Sequence, residues 1–283
     1  MNIGIGLPAA TAGVDGRILV EWARRAETFP FSALGVIDRI VFPNYDPLLA
    51  LSAAAAVTSR VRLVTAVLLA PLRTNTALFA KQAVTLDDLS GGRLVLGMGV
   101  GIRKDDFDIS GADFHHRGRI FEQELHELRA VWSGQRGIGP APIRPGGPEI
   151  MIGGRSDPAI RRAAEFGAGW TQGTGGPEEF KRCTDILHAA WSELGRTGVP
   201  PLQSVVYFAL GKDAESNAER QLRSYYGFRG PAAGGKVAED AALTPDAIKR
   251  TIASYEALGC DELIFLPCSL DVTEVDRLAE VVF

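Results

Sequence analysis

Short apolar runs recur at residues 3–7, 33–37, 63–67, 94–98, 150–152, 170–172, 205–210 and 263–266, and the stretches between them carry apolar residues at helical spacing. Ile248, Ile252 and Tyr255 stand four and three apart, and Val272, Val275, Leu278, Ala279 and Val282 share one helical face. Apolar runs without polar alternation fit strands covered on both faces, as in a parallel sheet. Proline at positions 158, 177 and 245 marks helix starts, because the first turn has no use for the missing amide hydrogen. Gly167, Gly195 and Gly259 mark helix ends.

Eight strand–helix units in 283 residues predict an α/β protein, a single (β/α)8 barrel of the kind built from about 250 residues. A doubly wound open sheet is the alternative. Helix-to-strand turns such as 167–168 are short and strand-to-helix segments such as 99–117 are long, which places function at the C-terminal ends of the strands. Residues 133–148 hold five glycines and four prolines, and the alternation resumes beyond them. They are expected to form a flexible connection or lid hinge inside one domain spanning 1–283, closing over the site to exclude water.

Composition narrows the function. Apolar residues make up 46% and charged residues 23%, which is the balance of a globular protein with a sizeable core. A net charge of −4 offers no broad positive field, so nucleic acid and acidic membrane faces are not expected partners. The most apolar stretch, 48–57, is half the roughly 20 residues a membrane span needs, and the first residues carry no basic region before their apolar run. Cys183, Cys260 and Cys268 are odd in number and contain no CxxC pair, which fits reduced thiols in the cytoplasm.

The strongest chemical signal is Gly153-Gly154-Arg155-Ser156-Asp157-Pro158, a strand end that breaks at two glycines directly before a helix. Free amides at a helix start attract an anion, and Arg155 and Ser156 add donors; a plain helix cap is the competing reading. Gly99-Val100-Gly101 follows another strand, but residues 102–113 read as a charged loop, which departs from the dinucleotide fingerprint. Those glycines serve either a flat ring lying on the backbone or barrel packing. Asp38 and Arg39 end the second strand, as a structural ion pair or as groups that orient a ring or substrate. Asp105, Asp106, Asp108, His115 and His116 crowd one segment without metal-ligand spacing, so it reads as a solvated acidic loop and no metal is expected.

Taken in order, Ile3-Gly4-Ile5-Gly6-Leu7-Pro8, Val36-Ile37-Asp38-Arg39, Thr65-Ala66-Val67-Leu68, Leu89-Ser90-Gly91-Gly92-Arg93, Leu96-Gly97-Met98-Gly99-Val100-Gly101 and Ile152-Gly153-Gly154 resemble the bacterial luciferase-like superfamily of flavin and deazaflavin oxidoreductases. The resemblance implies a homodimeric (β/α)8 barrel, pairing near 48–57, with coenzyme F-420 or, alternatively, FMN at the strand ends. It places the cofactor phosphate at Gly153, Gly154, Arg155 and Ser156, in agreement with the anion reading. A non-proline cis peptide under the ring would fall at Ala66-Val67, and Gly99, Val100, Gly101 and Gln172 would complete the cofactor site. Arg73, Arg103 and Lys104 would meet an anionic tail.

Asp38, Arg39 and His115 are the catalytic candidates for hydride transfer to or from a small organic substrate. Arg39 and Ile102 stand where the sugar-phosphate dehydrogenases of the superfamily often carry histidine and glutamate, which disfavours that branch. An FMN monooxygenase is the nearest alternative. A non-catalytic flavin-binding protein and a sugar-phosphate isomerase are the more distant ones.

Overall fold

The eight strands are β1 Asn2–Gly6, β2 Ala33–Val36, β3 Arg62–Leu69, β4 Leu94–Gly99, β5 Glu149–Gly153, β6 Gly169–Gln172, β7 Leu202–Phe208 and β8 Glu262–Pro267. Each pairs in parallel with the next, and β8 pairs with β1, so the sheet closes in chain order. This computed structural model describes residues 1–283, apart from the side chains of Arg229, Pro231, Ala232 and Ala233. Around the barrel run α1 Gly16–Glu27, α2 Pro47–Ala55, α3 Thr76–Leu89, α4 Lys104–Ser110, α5 Arg117–Trp132, α6 Asp157–Phe166, α7 Gly176–Glu193, α8 Ala214–Tyr226, α9 Pro231–Glu239, α10 Pro245–Glu256 and α11 Glu274–Val282. The (β/α)8 barrel expected from the alternation is the fold observed. Among the described residues, no helix is long and apolar enough to cross a membrane.

The helix starts follow local chemistry. The Asp15 carboxylate accepts from the Arg17 and Ile18 amides, and Asp46 does the same for Leu48 and Leu49 ahead of Pro47 at the first helical position. Thr244 caps α10 through the Ala247 amide. The core lies in two layers. One, between sheet and helices, includes Trp22, Phe31, Phe79 and Trp170; the other, inside the barrel, includes Ala33, Val64, Val95, Met151 and Ile264. All three cysteines are buried free thiols.

β3 carries an irregularity that shapes the site. Its register against β4 shifts between Thr65 and Leu68, and the Ala66–Val67 peptide is cis, at the position the resemblance indicated. β4 and β5 accommodate it with glycine. A Cβ on Gly97 would lie 1.9 Å from the Thr65 carbonyl oxygen, and one on Gly99 would lie 3.0 Å from Val67 Cγ2. Barrel packing therefore accounts for Gly97 and Gly99.

Two expectations require correction. Residues 133–148 join α5 to β5, so they lie at the N-terminal mouth of the barrel, opposite the site, and do not lid it. There Arg144 donates to the Leu94 carbonyl at the start of β4, and Gly147 packs against Trp132. Residues 102–113 are not a solvated loop: they contain α4, with acidic residues in its first turn and left-handed Gly111 ending it. The carboxylate of Asp106 is fully buried.

Candidate active site

A cavity of about 250 Å³ opens at the C-terminal ends of β2 to β6 and is closed from the side by the end of α8 and the turn after it. The strands bring Asp38, Arg39, Ala66, Val67, Gly99, Val100, Gly101, Gly153, Gly154 and Arg155 to this one cavity, ten of the residues expected to serve a site. Three others lie elsewhere. His115 is exposed in the link before α5 and packs its ring edge on Phe114. Ser156 lies outside the cavity wall, beside Arg182. Gln172 is buried in a hydrogen-bond cluster instead: its Oε1 accepts from Ser204 Oγ (2.9 Å) and the Tyr255 hydroxyl (3.0 Å), and its Nε2 donates to the Gly176 carbonyl (3.1 Å).

Asp38 is 3% exposed, and only one of its oxygens is satisfied. Oδ2 accepts from the Leu69 amide and from Arg73 Nη2, both at 2.9 Å. Oδ1 is buried without a hydrogen-bond partner in a residue that lines the cavity. Loss of water pushes the Asp38 carboxyl up to about 6, against the opposing pull of Arg73 and the Leu69 amide. A carboxyl so placed exchanges protons near neutrality.

Arg39 is engaged on every side. Its Nε donates to Asp106 Oδ2 (2.9 Å), Nη2 to the Val41 carbonyl (3.0 Å) and Nη1 to the Tyr225 carbonyl (3.4 Å). Asp106 Oδ1 in turn accepts from the Ile40 and Val41 amides at 3.0 and 2.6 Å. This network ties the loop after β2 to α4 and α8, so Arg39 is a structural clamp within the wall. Arg103 pairs with Asp105 and lies 4.3 Å from the Phe228 ring centre. Arg73 holds Asp38 and Asp46, and Lys104 holds Asp108, so the three cations expected to meet an anionic tail are each already paired.

At the other end, the β5–α6 turn is set from behind. Trp170 Nε1 donates to the Gly154 carbonyl (2.8 Å), and Arg182 donates to the Arg155 carbonyl. Gly154 has φ +132°, and a Cβ there would lie 2.6 Å from the Ala159 Cβ, so only glycine fits. Ser156 makes no capping bond, which leaves the first-turn amides of α6 without partners inside the helix. Asp157, which would repel an anion, is drawn aside by Arg182 at 3.3 Å. Among the described residues, the Arg155 guanidinium has no hydrogen bond or ion pair.

The aromatic part of the remaining wall was not legible beforehand. Tyr225 and Tyr226 from α8, Phe228 just beyond it, and Ile37, Leu69 and Ile102 make most of it apolar. Tyr226 shares a 3.2 Å contact with the hydroxyl of Tyr207. Three aromatics within four residues at the end of one helix were the available signal.

The model of the luciferase-like monooxygenase family matches residues 1–260, and the chain belongs to that family. It is accordingly an oxidoreductase. It is 29% identical over 223 residues, 66% of this chain and 76% of the relative, to an uncharacterised protein of Mycobacterium tuberculosis. An F-420-dependent secondary alcohol dehydrogenase, solved with an F-420–acetone adduct, superimposes with a TM-score of 0.84 at 16% identity, covering 99% of this chain and 98% of that one. The oxygenating constituent of 3,6-diketocamphane monooxygenase from a Pseudomonas putida plasmid, solved with FMN, gives a TM-score of 0.70 at 17% identity over 97% of each chain.

Proposed function

We propose that this chain transfers hydride between coenzyme F-420 and a small organic substrate, with Asp38 exchanging the accompanying proton. The observation that carries this reading is one cavity lined by both the buried Asp38, whose Oδ1 has no hydrogen-bond partner, and Arg155, whose guanidinium has no hydrogen bond or ion pair among the described residues. The residues of this cavity suit a flavin-type group. Its phosphate would be held by Arg155 and the free amides that begin α6, and its ring would lie against Val67. When bound, such a group supplies the hydride donor or acceptor.

The rest belongs to the chain. Tyr225, Tyr226 and Phe228 exclude water from the reacting atoms. Arg73 and the Leu69 amide fix the Asp38 carboxyl through Oδ2, which leaves Oδ1 for the proton. A buried proton acceptor is what hydride removal from a hydroxyl-bearing carbon requires, and the F-420-dependent neighbour supports the deazaflavin as the acceptor. The FMN monooxygenase reading draws its support from the FMN-bound neighbour. Parallel titrations with F-420 and FMN test the proposal: preference for F-420 supports it, and preference for FMN with substrate-dependent oxygen uptake replaces it by the monooxygenase reading.

A further inference from the structure

β5 and β6 are neighbours in the barrel, and one buried cluster holds both turns that leave them. Gln172, at the end of β6, is 1% exposed. Its Nε2 donates to the Gly176 carbonyl (3.1 Å), and its Oε1 accepts from Ser204 Oγ (2.9 Å) and the Tyr255 hydroxyl (3.0 Å). Only the amide nitrogen can face a carbonyl, so this side chain has one orientation. The Tyr255 ring packs on Phe180 with centres 5.2 Å apart, and Phe180 packs on Trp170 at 5.5 Å. Trp170 in turn donates to the Gly154 carbonyl. Contacts thus run without a break from the β6–α7 turn to the β5–α6 turn.

Arg155 lies between the two turns. Residues 173–176 include three glycines and, among the described residues, receive a side-chain hydrogen bond from Gln172 alone. Glycine leaves such a turn many conformations, so the Gln172 bond is what selects one. The Arg155 guanidinium rests on the result: a Cβ on Gly175 would stand 3.1 Å from Arg155 Nη1 and 3.2 Å from Gln172 Nε2. Glu179, whose Cγ would be 3.3 Å from the same Cβ, has its carboxylate drawn to Arg182, both oxygens at 3.0 Å, which leaves Arg155 to an outside anion. Gly173 and Thr174 of this turn line the cavity together with Arg155.

Resting on the proposed function for the identity of that anion, we infer that Gln172 is a positioning residue of the cofactor site: it fixes the 173–176 turn as the seat of the Arg155 guanidinium and so sets the affinity for the cofactor phosphate without touching the cofactor. Ser204 and Tyr255 hold the Gln172 amide for this role. An amide kept for stability alone would support binding of the ring and the phosphate alike; one that acts through Arg155 supports the phosphate only.

The test measures two affinities for each protein, for F-420 beside its deazaflavin core without the phosphate tail, or for FMN beside riboflavin, using the pair that wild type binds more tightly. Wild type is expected to favour the phosphate-bearing member by about tenfold or more, and Arg155→Ala to abolish most of that preference. Gln172→Met keeps the side-chain volume and deletes its three hydrogen bonds, and Gly175→Ala alters the exposed turn outside the core. Each should narrow the preference by about 3- to 10-fold while leaving the affinity for the phosphate-free member within about twofold. Added to Arg155→Ala, neither should narrow it further. If Gln172→Met does not fold, Gly175→Ala decides. An unchanged preference, equal weakening of both members, or a full additional loss on top of Arg155→Ala would overturn the role of Gln172 while leaving the phosphate site in place. A wild type without preference for the phosphate-bearing member would overturn the phosphate assignment at Arg155 itself, and the role of Gln172 with it.

Discussion

Val67 fills the space that a side chain on Gly153 would need: a Cβ on Gly153 would stand 2.8 Å from Val67 Cγ1. The bulge of β3 and the glycine end of β5 thus form one unit across the barrel mouth. Gly153→Ala is expected to displace Val67, costing about 1–3 kcal/mol of stability and loosening cofactor binding. Val67→Ala in the same chain should restore part of both. A double-mutant cycle in urea unfolding reads the coupling, expected to exceed about 0.5 kcal/mol. Strict additivity would show that the two positions do not meet.

Asp38 faces Arg73 and Asp46 on one side and the Arg39–Asp106 network with Tyr225 on the other. Its carboxyl is raised in the folded chain from 3.8 to about 6, so the native state holds this proton more tightly than the unfolded state. The stability it contributes is complete below about pH 4 and is lost as the pH rises through about 6. Asp38→Asn removes the titration. Between these pH values the wild type should lose stability relative to the variant, measured as urea midpoints across pH, and parallel profiles would contradict the assignment. The same variant should retain cofactor binding while losing about 100-fold or more in turnover.

Arg155→Ala removes the unpaired guanidinium at the β5–α6 turn. A charge-assisted hydrogen bond of about 1.5–3 kcal/mol corresponds to roughly 10- to 100-fold weaker cofactor binding. Unchanged affinity in a fluorescence titration would reduce the turn to a helix start and nothing more.

A homodimer is expected through α2. Leu49 on that helix is 71% exposed and Leu78 on the adjoining α3 is 51% exposed, an apolar pair left at the surface by this chain alone. Light scattering should give twice the chain mass, and Leu49→Arg should shift it toward monomer. A monomeric wild type at micromolar concentration would remove the proposal.

The barrel was legible because its strands are buried on both faces and read as uninterrupted apolar runs. The ring of site residues from β2 to β5 was legible for a related reason: glycine, aspartate and arginine interrupt those runs where the strands end. Gln172 also ends a strand, yet its amide turns away from the cavity to satisfy Ser204 and Tyr255, and nothing in its spacing distinguishes the two directions. The segment 133–148 was misplaced through its composition. It follows a helix and precedes a strand, so topology assigns it to the N-terminal mouth whatever its glycine content. Tyr225 was hidden because it sits at helical spacing with the buried Leu222 and Ala218 and reads as core. Asp106 was hidden among exposed acidic neighbours, since its partners are backbone amides of a different loop.

The cavity lined by Asp38 and Arg155 is proposed to take a deazaflavin and to move hydride without oxygen. The most direct measurement is parallel equilibrium titration of the protein with F-420 and FMN, followed by oxygen-electrode recording with the reduced, bound cofactor and an alcohol–ketone pair. Tighter binding of F-420 and no substrate-dependent oxygen uptake are predicted. Tighter binding of FMN, with oxygen consumed in proportion to substrate, would contradict it.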